Sequence, residues 1–243
     1  MCRHLGYLGR PTALHDLLLA PPHSLSTQAY APRHQEHGLV NVDGFGAGWY
    51  VPGRTPPVRY RRAVPIWSDQ SFASLAPTIE SRCVVAAVRS ATPGFPSDES
   101  GAAPFTHDRW LFSHNGALAD FRLAHKVFRD SASWVTDALA PMDSALLFGL
   151  AVAHWEAGAS LGAGLAQVVH DISAHGGGGR LNLLASDGER LAATTSGDSL
   201  FTCTDSGSVL LASEPCDTRS DWHHVPPSSL VEADDDGLRI MPL

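Results

Sequence analysis

The chain opens with Met1-Cys2-Arg3-His4-Leu5-Gly6-Tyr7-Leu8-Gly9. Its alternating pattern predicts a strand over residues 2–9, closed by Gly9-Arg10-Pro11. Cys2 sets the stretch apart. If Met1 is removed, Cys2 carries both a thiol and a free α-amine. A thiol is a nucleophile for covalent acyl transfer, and a neighbouring amine can be its base. The two groups titrate within about one pH unit of each other, which suits proton exchange near neutral pH. A cysteine at a terminus can equally be an incidental buried thiol, so the meaning of Cys2 depends on the rest of the chain.

The 243 residues are enough for a substantial core. With 44% hydrophobic and 17% charged residues, the composition suits a compact enzyme and excludes a disordered chain. The formal net charge is −8. The densest basic spot, Arg59 to Arg62, is too short for a nucleic-acid patch, so no nucleic-acid partner is expected. No apolar run is long enough to span a membrane and no signal peptide is evident, so a cytoplasmic location is expected. The four cysteines have no C-x-x-C spacing. Cys83, Cys203 and Cys216 read as packing thiols in a reducing compartment. Thirteen histidines are scattered without ligand spacing, so neither a metal nor a cofactor is expected.

Further along, Thr12 is placed to cap a short helix through Leu19, and residues 21–40 read as a loop. Asn41-Val42-Asp43-Gly44-Phe45-Gly46-Ala47-Gly48-Trp49-Tyr50 is a turn entering a strand. Its alternating glycines let another backbone or a ligand approach one face, and its spacing is not the dinucleotide fingerprint G-x-G-x-x-G. Residues 57–62 read as the returning strand, and Asp69 to Ile79 as a helix. Arg82 to Arg89 is a buried strand ending in Arg89-Ser90-Ala91-Thr92-Pro93-Gly94, where an arginine is well placed to hold an anion. A loop through residue 106 follows. The strand from Arg109 runs into His114-Asn115-Gly116, which sets an amide side chain and a permissive backbone N–H at a strand end. Those are the two donor types of an oxyanion hole.

Helices are expected at Phe121 to Phe128, from about Met142 to Trp155, and from about Ser160 to Ser173. Asp143 falls in the first turn of the second, where a carboxylate is favourable in any case. Residues 180–186, 190–195, 199–203 and 208–213 read as an antiparallel meander, with last strands near 228–232 and 238–242. The order of elements implies α+β layers.

Five motifs stand in one order: the second-position cysteine, the N-x-D-G-x-G-x-G-W stretch, a strand ending in R-S-A-T, a strand ending in H-N-G, and a helix opening in D-S. In that order they resemble the class II glutamine amidotransferases, a family of N-terminal nucleophile (Ntn) hydrolases. The resemblance covers residues 2–243 as a single domain. It implies a four-layer αββα sandwich of two antiparallel sheets.

It also implies roles: Cys2 as nucleophile with its own α-amine as base, and the Asn115 side chain and Gly116 N–H as oxyanion donors. Arg89 is expected to clamp an α-carboxylate and Asp143 to pair with an α-ammonium, with Thr92 and His114 beside the same glutamyl pocket. Pro93 stands where many members have histidine, and Asn41-Val42-Asp43 where many have Arg-Gly before the aspartate. Both departures argue against ordinary glutamine as substrate.

With no synthase domain in the chain, a stand-alone hydrolase of a small γ-glutamyl amide is the simpler reading. The opening CRHLGYLG together with GLVNVDGFGAGWY is most similar to the branch of the family that cleaves γ-glutamyl hercynylcysteine S-oxide in ergothioneine biosynthesis. A glutaminase subunit feeding a separate synthase and a non-catalytic glutamyl-binding module are the alternatives. Aromatic and histidine side chains in 23–37 and 105–110 are candidates for the distal pocket. The roles of Arg3, His34, Asn41 and Asp43 are left open by the sequence.

Overall fold

A computed structural model describes residues 2–205 and 207–243. Met1, and with it the expected removal of Met1, lies outside the described residues. The strands are β1 (Arg3–Ala13), β2 (Phe45–Trp49), β3 (Val58–Arg62), β4 (Glu80–Val88), β5 (Phe105–His107), β6 (Trp110–Leu118), β7 (Gly179–Ser186), β8 (Leu191–Thr195), β9 (Phe201–Asp205), β10 (Ser208–Ala212), β11 (Trp222–His224), β12 (Ser229–Asp234) and β13 (Gly237–Pro242). The helices are α1 (Leu14–Leu18), α2 (Leu25–Tyr30), α3 (Gln70–Leu75), α4 (Phe121–Phe128), α5 (Asp143–Glu156) and α6 (Leu161–His175).

Seven strands form one sheet in the order β11-β9-β10-β1-β4-β2-β3, and six form the other in the order β13-β12-β8-β7-β6-β5. Every pairing is antiparallel. Strand alternation sorts the apolar side chains into layers. Leu5, Tyr7, Val84, Ala86 and Val88 face outward onto Leu14, Leu17, Leu18, Leu25 and Phe72 of α1 to α3. Leu8, Cys83 and Val85 turn inward and meet Leu111, Leu184 and Leu191 of the second sheet. Phe112, Leu181 and Leu183 face α5 and α6 through Phe148, Val152, Leu165 and Ile172. The expected αββα sandwich is thus borne out.

Local chemistry fixes the ends of several elements. Ser24, Asp69, Asp120 and Ser160 each accept a bond from a backbone N–H in the first turn of the helix they precede, satisfying donors that a helix start leaves open. Thr12 does not cap α1. Its hydroxyl is taken by Tyr7 Oη at 2.8 Å and by the Arg10 carbonyl, and β1 runs on to Ala13. The stretch read as a loop over 21–40 contains α2. Asn115-Gly116 is not a turn, because β6 continues through it to Leu118.

The predicted meander is divided. β7 and β8 belong to the second sheet, whereas β9 and β10 cross to the first and lie beside β1. The crossing is held by Asn182. Its Oδ1 accepts from the N–H groups of Ser196 and Asp198, and its Nδ2 donates to the carbonyls of Asp198 and Ser199.

The glycines of β2 serve close packing. A methyl at Gly46 would overlap the Ala103 carbonyl oxygen, and one at Gly48 would crowd the Leu111 side chain and Pro104. Because the Ala103 obstacle is backbone, Gly46→Ala is expected to destabilise the fold by about 1–3 kcal/mol, as overpacking does. Urea unfolding should show a lowered midpoint with an unchanged slope.

Candidate active site

β1 lies between β4 and β10, so its first residues emerge between the ends of those two strands. Cys2 is half-buried there, with Sγ 4.0 Å from the Ser90 carbonyl. Arg3 follows and is fully buried. Its Nε donates to the Cys2 carbonyl at 2.7 Å and its Nη1 to Glu214 Oε1 at 3.2 Å. The other Glu214 oxygen accepts from the Arg33 N–H at 2.7 Å and lies 2.9 Å from His23 Nε2. Burial by itself raises the Glu214 carboxyl. The bonds from His23, Arg33 and His34, with the Arg3 charge, outweigh it and hold the group below its ordinary value. His4 projects between the sheets, with Nδ1 3.3 Å from Ser113 Oγ. Burial first, then the charges of Arg3 and His114, lowers its pKa to about 3, so its ring is neutral at physiological pH.

The strand β4 ends by delivering Arg89, which is buried. Its backbone is braced by the turn before β2: the Asp43 N–H donates to the Arg89 carbonyl and the Arg89 N–H to the Gly44 carbonyl. Asp43 Oδ2 also accepts from the Ala91 N–H at 2.7 Å. Arg89 Nη2 donates to the Pro96 carbonyl at 2.6 Å, and the backbone of Gly101 lies so close to the guanidinium that no side chain fits there. Nη1 is buried and has no hydrogen-bond partner among the described residues. A desolvated cation with an unfilled donor suits an incoming carboxylate.

Opposite, Asp143 is the first residue of α5. Its carboxylate accepts from the Ser144 N–H at 2.7 Å and the Leu118 N–H at 3.2 Å. N–H directions alternate along a strand, so the N–H of Gly116 points to the same edge of β6 as that of Leu118. That edge is covered by β5 only as far as Phe112. Gly116 has no room for a side chain, because a methyl would overlap the Arg180 carbonyl and crowd His114 Nε2. His114 Nε2 lies 2.9 Å from that carbonyl and therefore carries the proton, while Nδ1 faces Ser144 Oγ at 3.0 Å.

One pocket is lined by Cys2, Arg89, Thr92, His114, Gly116 and Asp143, together with Ser90, Phe95, Gly101, Phe105, Met142 and Ser144. Six of the seven residues singled out in the sequence therefore meet around it. The seventh, the Asn115 side chain, points to the other face of β6, the face that looks toward β1. Its Nδ2 donates to Ser213 Oγ at 3.3 Å, and Ser213 Oγ also accepts from the His4 N–H at 3.0 Å. Ser144, Gly101 and Glu214 carried no sequence signal of a site role; Ser144 read only as a helix start. Asn41 is buried away from the pocket, donating to the Gln28 carbonyl and Gln35 Oε1. Phe105 lies on the Arg89 side of the pocket, and His34 packs on Phe201 with ring centroids 4.9 Å apart.

Chemically, the pocket offers a thiol, a cation, an anion and a strand-edge N–H. Among the described residues, no group of three His, Cys, Asp or Glu is placed to hold a metal ion. Among the described residues, no helix is long and apolar enough to cross a membrane.

The fold and this pocket define an Ntn-type amidotransferase domain, and the comparisons agree. The family described as class-II glutamine amidotransferases matches residues 19–205. The chain belongs to that family. It is 43% identical over 244 residues to the gamma-glutamyl-hercynylcysteine sulfoxide hydrolase of Mycolicibacterium smegmatis (strain ATCC 700084 / mc(2)155), covering 100% of both chains. It is 42% identical to the protein of the same name from Mycobacterium tuberculosis, covering 100% of this chain and 97% of that one. A glutamine aminotransferase class-II domain protein from Silicibacter pomeroyi superposes with a TM-score of 0.69 at 23% identity, covering 99% of each chain, which shows the shared fold.

The four cysteines separate by surroundings. Burial pushes the thiols of Cys83 and Cys216 up to about 12, and raises that of Cys203 above its ordinary value. Iodoacetamide at pH 8 is therefore expected to label native protein at Cys2 and to spare Cys83 and Cys216, since thiolate is the reacting form. Peptide mapping by mass spectrometry reads the result.

Proposed function

We propose that this chain is a cysteine amidohydrolase that cleaves γ-glutamyl-hercynylcysteine sulfoxide to glutamate and hercynylcysteine S-oxide in ergothioneine biosynthesis. The reading takes residues 2–243 as one catalytic domain working in the cytoplasm. The observation that carries it is the shared pocket, which is lined together by a thiol, a buried guanidinium with an unfilled donor and a buried carboxylate. A γ-glutamyl group is a zwitterion at one end and an amide at the other, and those are the groups it needs. Full-length similarity to hydrolases named for that substrate supports the choice of leaving group.

In this reading the Arg89 Nη1–H donates to the α-carboxylate and Asp143 takes the α-ammonium, so the γ-carbonyl is presented to Cys2. Cys2 loses its thiol proton to its own α-amine and attacks the carbonyl carbon. The resulting oxyanion accepts from the Gly116 N–H and from an Asn115 Nδ2–H. Collapse breaks the C–N bond, and the departing amine takes its proton from the α-ammonium of Cys2. Water, deprotonated by the same amine, then hydrolyses the glutamyl thioester. Thr92 closes the glutamyl pocket. His114 borders it, but both of its ring nitrogens bond within the protein, so it positions β6 and Ser144 and does not bind substrate directly.

Purified protein is expected to release glutamate from the sulfoxide conjugate, followed by liquid chromatography and mass spectrometry. Cys2→Ala should abolish turnover, and a variant with Met1 retained should be inactive for want of the α-amine. Turnover by Cys2→Ala would overturn the mechanism. Asn115→Ala should lower kcat by about 10²–10³, the usual loss for one oxyanion donor, while Arg89→Gln should act chiefly on KM, raising it about tenfold or more.

A further inference from the structure

Cys2 stands in the middle of the active-site end, with structure on both sides of it. In the first sheet β4 flanks β1 on one side and β10 on the other; in the second, β5 flanks β6 on one side and β7 on the other. Arg89, Thr92, Gly101, Phe105 and Asp143 all gather on the β4 and β5 side. A glutamyl group held there ends at Cys2, so whatever is attached to its γ-carbonyl extends toward the β10 and β7 side.

A second pair of opposite charges lies on that side. Arg180 is in β7, opposite Ala117. Cross-strand partners share a face, so Arg180 projects on the Asn115 face of the sheet, toward β1. Asp198 sits in the crossing segment between β8 and β9, which Asn182 holds in place. Asn182 is the cross-strand partner of Asn115, so its bonds hold Asp198 at the end of β6 that carries Asn115 and Gly116. Arg180 Nε lies 3.4 Å from Asp198 Oδ2. Both atoms are buried, and neither makes a hydrogen bond among the described residues. The Asp198 side chain is 3% exposed and that of Arg180 30%. Burial raises the Asp198 carboxyl above its ordinary value, because the charged form is poorly solvated. A desolvated ion pair with unfilled bonds on both members gains little for the fold itself. It is well suited to a ligand that brings a carboxylate and a cationic nitrogen.

We propose that Arg180 and Asp198 form the leaving-group subsite, with Arg180 taking a carboxylate and Asp198 a cationic nitrogen of the zwitterionic amine that is released. The inference rests on the γ-glutamyl amidohydrolase reading above and adds to it the residues that hold the leaving group. The site then has two zwitterion clamps, Arg89 with Asp143 for the retained acyl group and Arg180 with Asp198 for the departing amine, with Cys2 between them. The pair binds substrate and takes no part in bond breaking, so its effect belongs in KM.

The test compares γ-glutamyl-hercynylcysteine sulfoxide, whose leaving group carries both charges, with γ-glutamyl-p-nitroanilide, whose leaving group carries neither, on the full chain. Arg180→Gln and Asp198→Asn are each expected to raise KM for the sulfoxide by about tenfold or more, with kcat little changed and kinetics on the anilide unaltered. Arg180→Lys, which keeps the charge without the planar fork, should fall between wild type and Arg180→Gln. Should Asp198→Asn fail to fold, Arg180→Gln alone decides, since its side chain is partly exposed. Equal losses on both substrates, or no loss on either, would overturn the subsite. If wild-type protein releases glutamate from neither substrate, the hydrolase reading itself falls, and the subsite with it.

Discussion

A single buried guanidinium holds the active-site end together. Arg3 has no exposure to solvent, and its hydrogens reach the Cys2 carbonyl and Glu214. Glu214 in turn anchors the backbone at Arg33 and the ring of His23. The peptide of Cys2, the start of α2 and the end of β10 thus share one ionic junction. Removing one member of such a buried pair strands the other charge, at a cost of about 3–5 kcal/mol. This junction accounts for how Cys2, at the very start of a strand where chains usually fray, is held in a fixed place.

The Arg89 and Asp143 part of the pocket is built differently. Arg89 and Asp143 each stand at the end of a regular element, and both are buried. Gly101 presses on the flat face of the guanidinium and Asp43 pins the loop beyond it. Asp143 is fixed by two backbone N–H groups. Orientation is therefore supplied by backbone, which has little freedom left to lose. The Asn115 amide instead depends on a side-chain contact, its bond to Ser213, and Ser213 is fixed in its turn by the His4 N–H.

Much of this could be read along the chain. Alternation gave the strands and their buried faces, because a pleated strand must put alternate side chains on opposite sides. Arg89, Asn115-Gly116 and Asp143 were visible because each sits where a regular element starts or where a strand meets an unusual residue type. Sheet membership was not visible. Nothing in the apolar pattern of 199–213 tells whether those strands pair with β8 or with β1, and it is the side chain of Asn182 that directs the crossing. Helix α2 was hidden in a stretch rich in proline and histidine, where its cap, Ser24, looks like any loop serine. Glu214, Ser213, Arg180 and Asp198 were silent for a deeper reason. Their neighbours are far away in sequence, 211 positions in the case of Arg3 and Glu214, and isolated polar residues carry no periodicity to betray them.

The unfilled hydrogen bond on Arg89 Nη1 has a thermodynamic side. A buried donor without an acceptor is a debit that the folded state carries and the solvated unfolded chain does not. A ligand that supplies the acceptor binds only the folded form, so its binding free energy is added to that of folding. The unpartnered Arg89 Nη1 therefore lowers the stability of the folded state relative to one in which that donor is bonded. Occupancy by a carboxylate-bearing molecule shifts it upward in proportion to the logarithm of concentration. A molecule bound there would therefore also raise the fraction of the protein that is folded.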